Sequence, residues 1–125
     1  CNLGADTNNS NLKNNYGAVK LYNYFQKKSI DTGLQFCGLI MGDYSKSGIN
    51  TMFNTGTVVG VGSNIYGGGF PSTNIPNFSW GGSEGFESYR LDKLYETAEI
   101  VFERRGLTFG ETEKQILAAI ASQFN

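Results

Sequence analysis

The side chains that could carry chemistry in this chain are two cysteines, eleven carboxylates and ten lysine or arginine cations; there is no histidine. Without histidine the chain lacks the commonest general base, the commonest metal ligand and any Ser-His or Cys-His dyad. Cys37 lies in the apolar run Leu34 to Ile40, where a small thiol is expected to serve as a core residue. Cys1 and Cys37 could pair, but two cysteines do not make a disulfide scaffold, and a reducing cytoplasm is the expected location. Gly60-Val61-Gly62 lacks the third spaced glycine of a phosphate-cradling loop and reads as a turn. No catalytic residue and no metal ligand is assigned. A net charge of −1 argues against nucleic-acid partners, and no apolar run has the length of a membrane span.

What positions these groups is a six-residue repeat. From Met41 the first positions are Met41, Ser47, Phe53, Val59 and Ile65. The second positions are Gly42, Gly48, Asn54, Gly60 and Tyr66, and the fifth are Ser45, Thr51, Thr57 and Ser63. A large apolar residue, a turn residue and a small hydroxyl residue recurring every six positions is the pattern of a hexapeptide β-helix. Each hexad makes one short strand and one tight turn, and three hexads close a coil. The first position points inward, the fifth must be small near a corner, and the second is expected to supply the turn's permissive backbone. One coil cannot bury its apolar face, so coils exist only as stacks. γ-Type carbonic anhydrases share this architecture but bind metal through histidines, which this chain does not have.

The repeat assigns residues 1–69 to the β-helix, with an insertion at about 12–32, because Leu3 and Met41 are not a whole number of hexads apart. Within the insertion, Ala18 to Tyr24 alternates like a strand, and Phe25 to Asp31 could return against it as a hairpin. Residues 70–89, with Pro71, Pro76 and Trp80, follow neither period and are expected to form an extended loop. Residues 90–125 are expected to form a helical pair. Leu91, Leu94, Ala98, Val101 and Phe102 share one face, Arg104-Arg105 suit the negative pole and Gly106 the C-cap. Thr108 with Glu111 reads as a capping box for the second helix, whose face is Ile116, Leu117, Ile120 and Phe124. The pair is expected to pack on the β-helix by capping its open end. The first residue, Cys1, leaves two readings: a piece cut inside a longer coil, which Leu3-Gly4-Ala5-Asp6-Thr7 favours by following the hexad pattern, or a mature lipoprotein.

Asn2 to Thr7 followed by Asn11 resembles the "NIGAGT…N" stretch in the acyltransferase half of bacterial N-acetylglucosamine-1-phosphate uridyltransferases. Asn8 to Gly82, including "GLQFCGLIMGD" and "GINTMFNTGTVVGV", is similar to a related group of bacterial sugar-phosphate nucleotidyltransferases with the same two-domain plan. The residues themselves give a mainly β chain, a parallel β-helix with an inserted hairpin and two C-terminal α-helices; the resemblance implies that the coil is left-handed. It implies a homotrimer, with sugar phosphate and nucleotide as substrates of the parent protein. Mg²⁺ would serve the nucleotidyl domain, and acetyl-CoA would be the acyl donor where the coil is catalytic.

By the same resemblance, Asn11 would help hold an amino sugar and Lys20 would lie near the acceptor, matching the lysine of a "GANK" segment; both are substrate-binding candidates. The sequence departs from the pattern in three places. Leu12 stands where the family has tyrosine, the loop before Lys20 is longer, and Tyr44 stands where relatives often carry histidine. The acetyl-transfer base of the family is a histidine on a coil ahead of this stretch. Two functions follow as expectations: oligomerisation with acyl transfer, or a structural trimerisation domain with no chemistry of its own.

Overall fold

The structure is a computed structural model describing residues 1–124. Its elements are β1 (Asn2–Leu3), β2 (Asn8–Asn9), β3 (Lys20–Asn23), β4 (Lys28–Asp31), β5 (Ile40–Met41), β6 (Lys46–Ser47), β7 (Met52–Phe53), β8 (Val58–Val59), β9 (Asn64–Ile65), β10 (Asn74–Ile75), β11 (Ser79–Gly82), β12 (Gly85–Ser88), α1 (Leu91–Glu103) and α2 (Glu111–Phe124). It is a mainly β chain built on parallel sheets, with two helices at the end. The chain visits three sheets in turn. The first runs β1-β6-β9-β11-β12, the second pairs β2 with β7, and the third runs β5-β8-β10. Within these three sheets pairing is parallel except for β12, which returns antiparallel on β11. No helix among the described residues is long and apolar enough to cross a membrane.

The register follows from the hexad. Lys46 pairs with Asn64 and Ile40 with Val58, eighteen residues apart, which is three hexads. Two-residue strands fit because each side of such a coil is only one hexad long, turn included. Phe53, Val59 and Ile65 are inward and almost fully buried, and with Ile75 they form one core cluster. Ser47 is the polar exception at the inward position; its hydroxyl lies 2.9 Å from that of Thr7.

The fifth-position hydroxyls do more than stay small. Ser45 donates to the Gly60 carbonyl (2.6 Å) and accepts from the Ser63 amide (3.0 Å). One coil on, Ser63 donates to the Pro76 carbonyl (2.9 Å) and accepts from the Ser79 amide (3.2 Å). Each corner serine thereby serves a carbonyl and a buried amide of the next coil, and leaving the amide without an acceptor would cost stability.

The second-position glycines have a different role from the one expected. None of Gly42, Gly48 and Gly60 has positive φ; that conformation falls at the fourth position, on Asp6, Tyr44, Asn50, Gly56, Gly62 and Phe78. Gly42 is required by close stacking instead: a Cβ there would lie 2.8 Å from the Gly60 backbone of the next coil. Tyr44 and Phe78 accept a left-handed conformation that disfavours bulky residues by roughly 1–2 kcal/mol. Their rings offset this by joining the core formed with the helices.

Two interruptions break the period. Asn2 pairs with Lys46 and Asn8 with Met52, forty-four residues apart instead of eighteen, so twenty-six extra residues intervene. They hold the antiparallel hairpin of β3 and β4. At the other end Asn74 pairs with Val58 and Trp80 with Asn64, only sixteen apart. Residues 70–89, expected as an extended loop, therefore carry β10, β11 and β12. The two-residue shortening takes Ile75 out of phase with the hexads, although it occupies an inward site.

Among the described residues the helices do not cap the coil end. They lie along one corner of the stack, where Tyr44, Val61 and Phe78 from three successive coils meet Leu94, Ala98, Phe109 and Leu117. α1 ends as the sequence suggests. Gly106 has φ 70°, its amide bonds Glu103 O, and Leu107 N bonds Phe102 O, a Schellman closure. The start of α2 differs from expectation: Glu113, not Glu111, reaches back, accepting from the Gly110 amide at 2.9 Å. Cys37 is half-buried rather than part of either core cluster, and both cysteines are free.

Candidate functional site

The outer surface of the first sheet is set by its register. Asn2, Lys46, Asn64, Trp80 and Glu87 stand in one row across five strands. Lys46 points outward because its strand neighbour Ser47 points inward. Its neighbours in the row are two neutral amides, Asn2 and Asn64. α1 runs beside this row, held by the contacts of Leu94 and Ala98 with the coil corner.

Between the coil and α1 opens a cleft of about 780 Å³. Asn2, Asp43 and Lys46 line the coil side. Ala98, Val101, Phe102 and Leu107 form an apolar wall, and Arg104 and Arg105 stand where α1 ends. Burial lowers the Lys46 pKa from the ordinary lysine value, since the charged form loses hydration. The ion pairs among the described residues are Arg90–Asp92, Lys93–Glu96 and Lys114–Glu99. Lys46, Arg104 and Arg105 belong to none of them. The cleft therefore presents three cations without ion-pair partners and one carboxylate, Asp43, beside an apolar surface.

At the other end of the row, a second cleft of about 560 Å³ is lined by Tyr66, Trp80, Phe86, Glu84, Glu87 and a run of glycines. Trp80 stacks on Tyr89 with ring centroids 4.9 Å apart, and Tyr66 meets Trp80 edge-on at 5.8 Å. These rings tie the β11–β12 hairpin to the coil.

Asn11 and Lys20 lie elsewhere. Asn11 is exposed at the start of the insertion, and its carbonyl accepts the Cys37 amide at 2.9 Å. Lys20 is exposed on β3, opposite Asp31. Neither lines the two clefts, and neither side chain makes a hydrogen bond or ion pair among the described residues. Also among the described residues, no group of three or more His, Cys, Asp or Glu side chains is placed to hold a metal ion.

Sequence reasoning missed Lys46 as a site residue and treated Arg104-Arg105 only as partners of the helix pole. The available signal was modest: Lys46 immediately precedes an inward position, so it must face out. That α1 would bring two arginines to the same cleft is not encoded in any local spacing. No protein-family model matches the chain, and no curated protein matches it.

Proposed function

We propose that the chain is the coil portion of a bacterial sugar-phosphate nucleotidyltransferase, wound as a left-handed parallel β-helix that assembles the protein as a homotrimer in the cytoplasm. The observation that supports this reading is the eighteen-residue parallel register with Phe53, Val59 and Ile65 stacked inside. Apolar side chains left exposed on the coil and its insertion, among them Leu3, Leu34, Phe36 and Ile40, favour burial against further copies. Sugar phosphate, nucleotide and Mg²⁺ would belong to a nucleotidyl domain outside this sequence.

In the catalytic form of this reading, the coil also transfers an acetyl group. The amine of an amino sugar phosphate attacks the thioester carbonyl of acetyl-CoA, a base takes the amine proton, and the CoA thiolate leaves. Asn11 and Lys20 would orient the acceptor. The absence of histidine favours the second reading, a trimerisation scaffold with no chemistry of its own. Light scattering together with acetyl-CoA calorimetry separates them. A trimer with saturable binding, weakened by Asn11→Ala or Lys20→Ala, supports acyl transfer. A trimer without binding supports the scaffold. A monomer overturns the assembly role.

A further inference from the structure

We propose that the cleft between the first sheet and α1 binds a soluble organic phosphate, with Lys46, Arg104 and Arg105 holding the phosphate and Val101, Phe102 and Leu107 receiving an apolar body. This inference does not rest on the nucleotidyltransferase reading, because it uses only the cleft.

Three observations carry it. First is charge. Three cations face one carboxylate in the cleft, and none of the three has an ion-pair partner among the described residues. Offsetting the negative pole of α1 accounts for Arg104 and Arg105 but not for Lys46, which sits on the coil. Second is burial. Lys46 is half-buried between two asparagines, so the fold removes water from an ammonium and supplies no anion in return. A bound phosphate supplies that anion. Its several oxygens suit two guanidinium forks and an ammonium better than a single carboxylate does. Third is size. A volume of about 780 Å³ greatly exceeds a lone phosphate and falls among pockets for organic molecules, typically about 300–1,000 Å³. The wall available to the rest of the ligand is apolar.

The test is calorimetry on the 125-residue chain with hexyl phosphate, inorganic phosphate and hexanol as probes. Hexyl phosphate is expected to bind saturably, about tenfold tighter than inorganic phosphate, since part of its chain leaves water. Lys46→Gln and Arg104→Gln should each weaken it by about tenfold or more, while Lys93→Gln, on the opposite charge cluster of α1, should not. Methyl NMR of the unmodified protein gives a second readout that no folding defect can obscure: hexyl phosphate should shift the Val101 and Leu107 methyls. No saturable binding, equal binding by the Lys46→Gln and Arg104→Gln variants, or methyl shifts confined to other residues would overturn the proposal. So would co-sedimentation with phosphatidic acid vesicles in the absence of hexyl phosphate binding, which would assign the cations to a lipid surface.

Discussion

Replacing Ser63 by alanine tests whether the corner hydroxyls are structural members or only small. Ser63 is buried, and its hydroxyl has two partners in the next coil: it donates to Pro76 O and accepts from the Ser79 amide. The Pro76 carbonyl has a second donor, since Ser79 Oγ reaches it at 2.7 Å. The Ser79 amide loses its hydrogen-bond acceptor when Ser63 Oγ is removed. Ser63→Ala should therefore cost about 1–3 kcal/mol, the penalty for a buried donor left unmade. Ser79→Ala removes one of two donors to Pro76 O and orphans nothing, so about 0.5–1 kcal/mol is expected. The double variant leaves Pro76 O without either hydroxyl and should exceed the sum of the singles by about 1 kcal/mol. Urea unfolding followed by circular dichroism gives all three values. Ser79→Ala costing as much as Ser63→Ala, or strict additivity, would refute the ladder.

Three further outcomes follow from the same geometry. Gly62→Ala would place a methyl at φ 65° and 2.8 Å from both Leu94 Cδ2 and the Phe78 ring, so it should lose about 2–4 kcal/mol of unfolding free energy from conformation and overpacking together. The Tyr44 pKa is raised by burial first and then by Glu113 and Asp43, so its neutral form is favoured in the fold. That contribution is complete below the unfolded value near 10 and is lost as pH rises through the folded one; Tyr44→Phe should flatten the fall in urea midpoint between about pH 9 and 11. Lys46 has a lowered pKa, so its burial opposes folding at neutral pH and ceases to do so above the ordinary value of 10.5. Lys46→Met should hold or raise the urea midpoint at neutral pH, and a loss beyond about 0.5 kcal/mol would contradict the absence of a partner for this side chain.

The hexad was legible because stacking imposes it on every coil separately. An inward site needs bulk and a corner needs a small hydroxyl, so Phe53, Val59 and Ile65 and the serines and threonines four residues after each first position stand out without any knowledge of neighbours. Ile75 satisfies the same demand yet was hidden, since the last turn omits two residues and a fixed period cannot register a phase change. The role of the second-position glycines was misread for a related reason. A turn and a close backbone approach both select glycine, and only the position of the next coil distinguishes them. The cleft was less legible still. Lys46 reads as an ordinary exposed lysine until the register shows asparagines on both sides of it.

The sequence by itself determined the repeating unit, the inward and corner positions, the existence of the two helices and the closing signal of the first, because these depend on contacts within a hexad or a helical turn. The tertiary structure decided where the helices lie and what they bring together. Tyr44, Val61 and Phe78 are far apart in sequence and become one docking line only when successive coils stack. That line sets α1 beside the first sheet, and with it Arg104 and Arg105 opposite Lys46. The physical reason is that an amphipathic helix specifies that it must be covered but not by what, and the covering surface here exists only after the coils have formed.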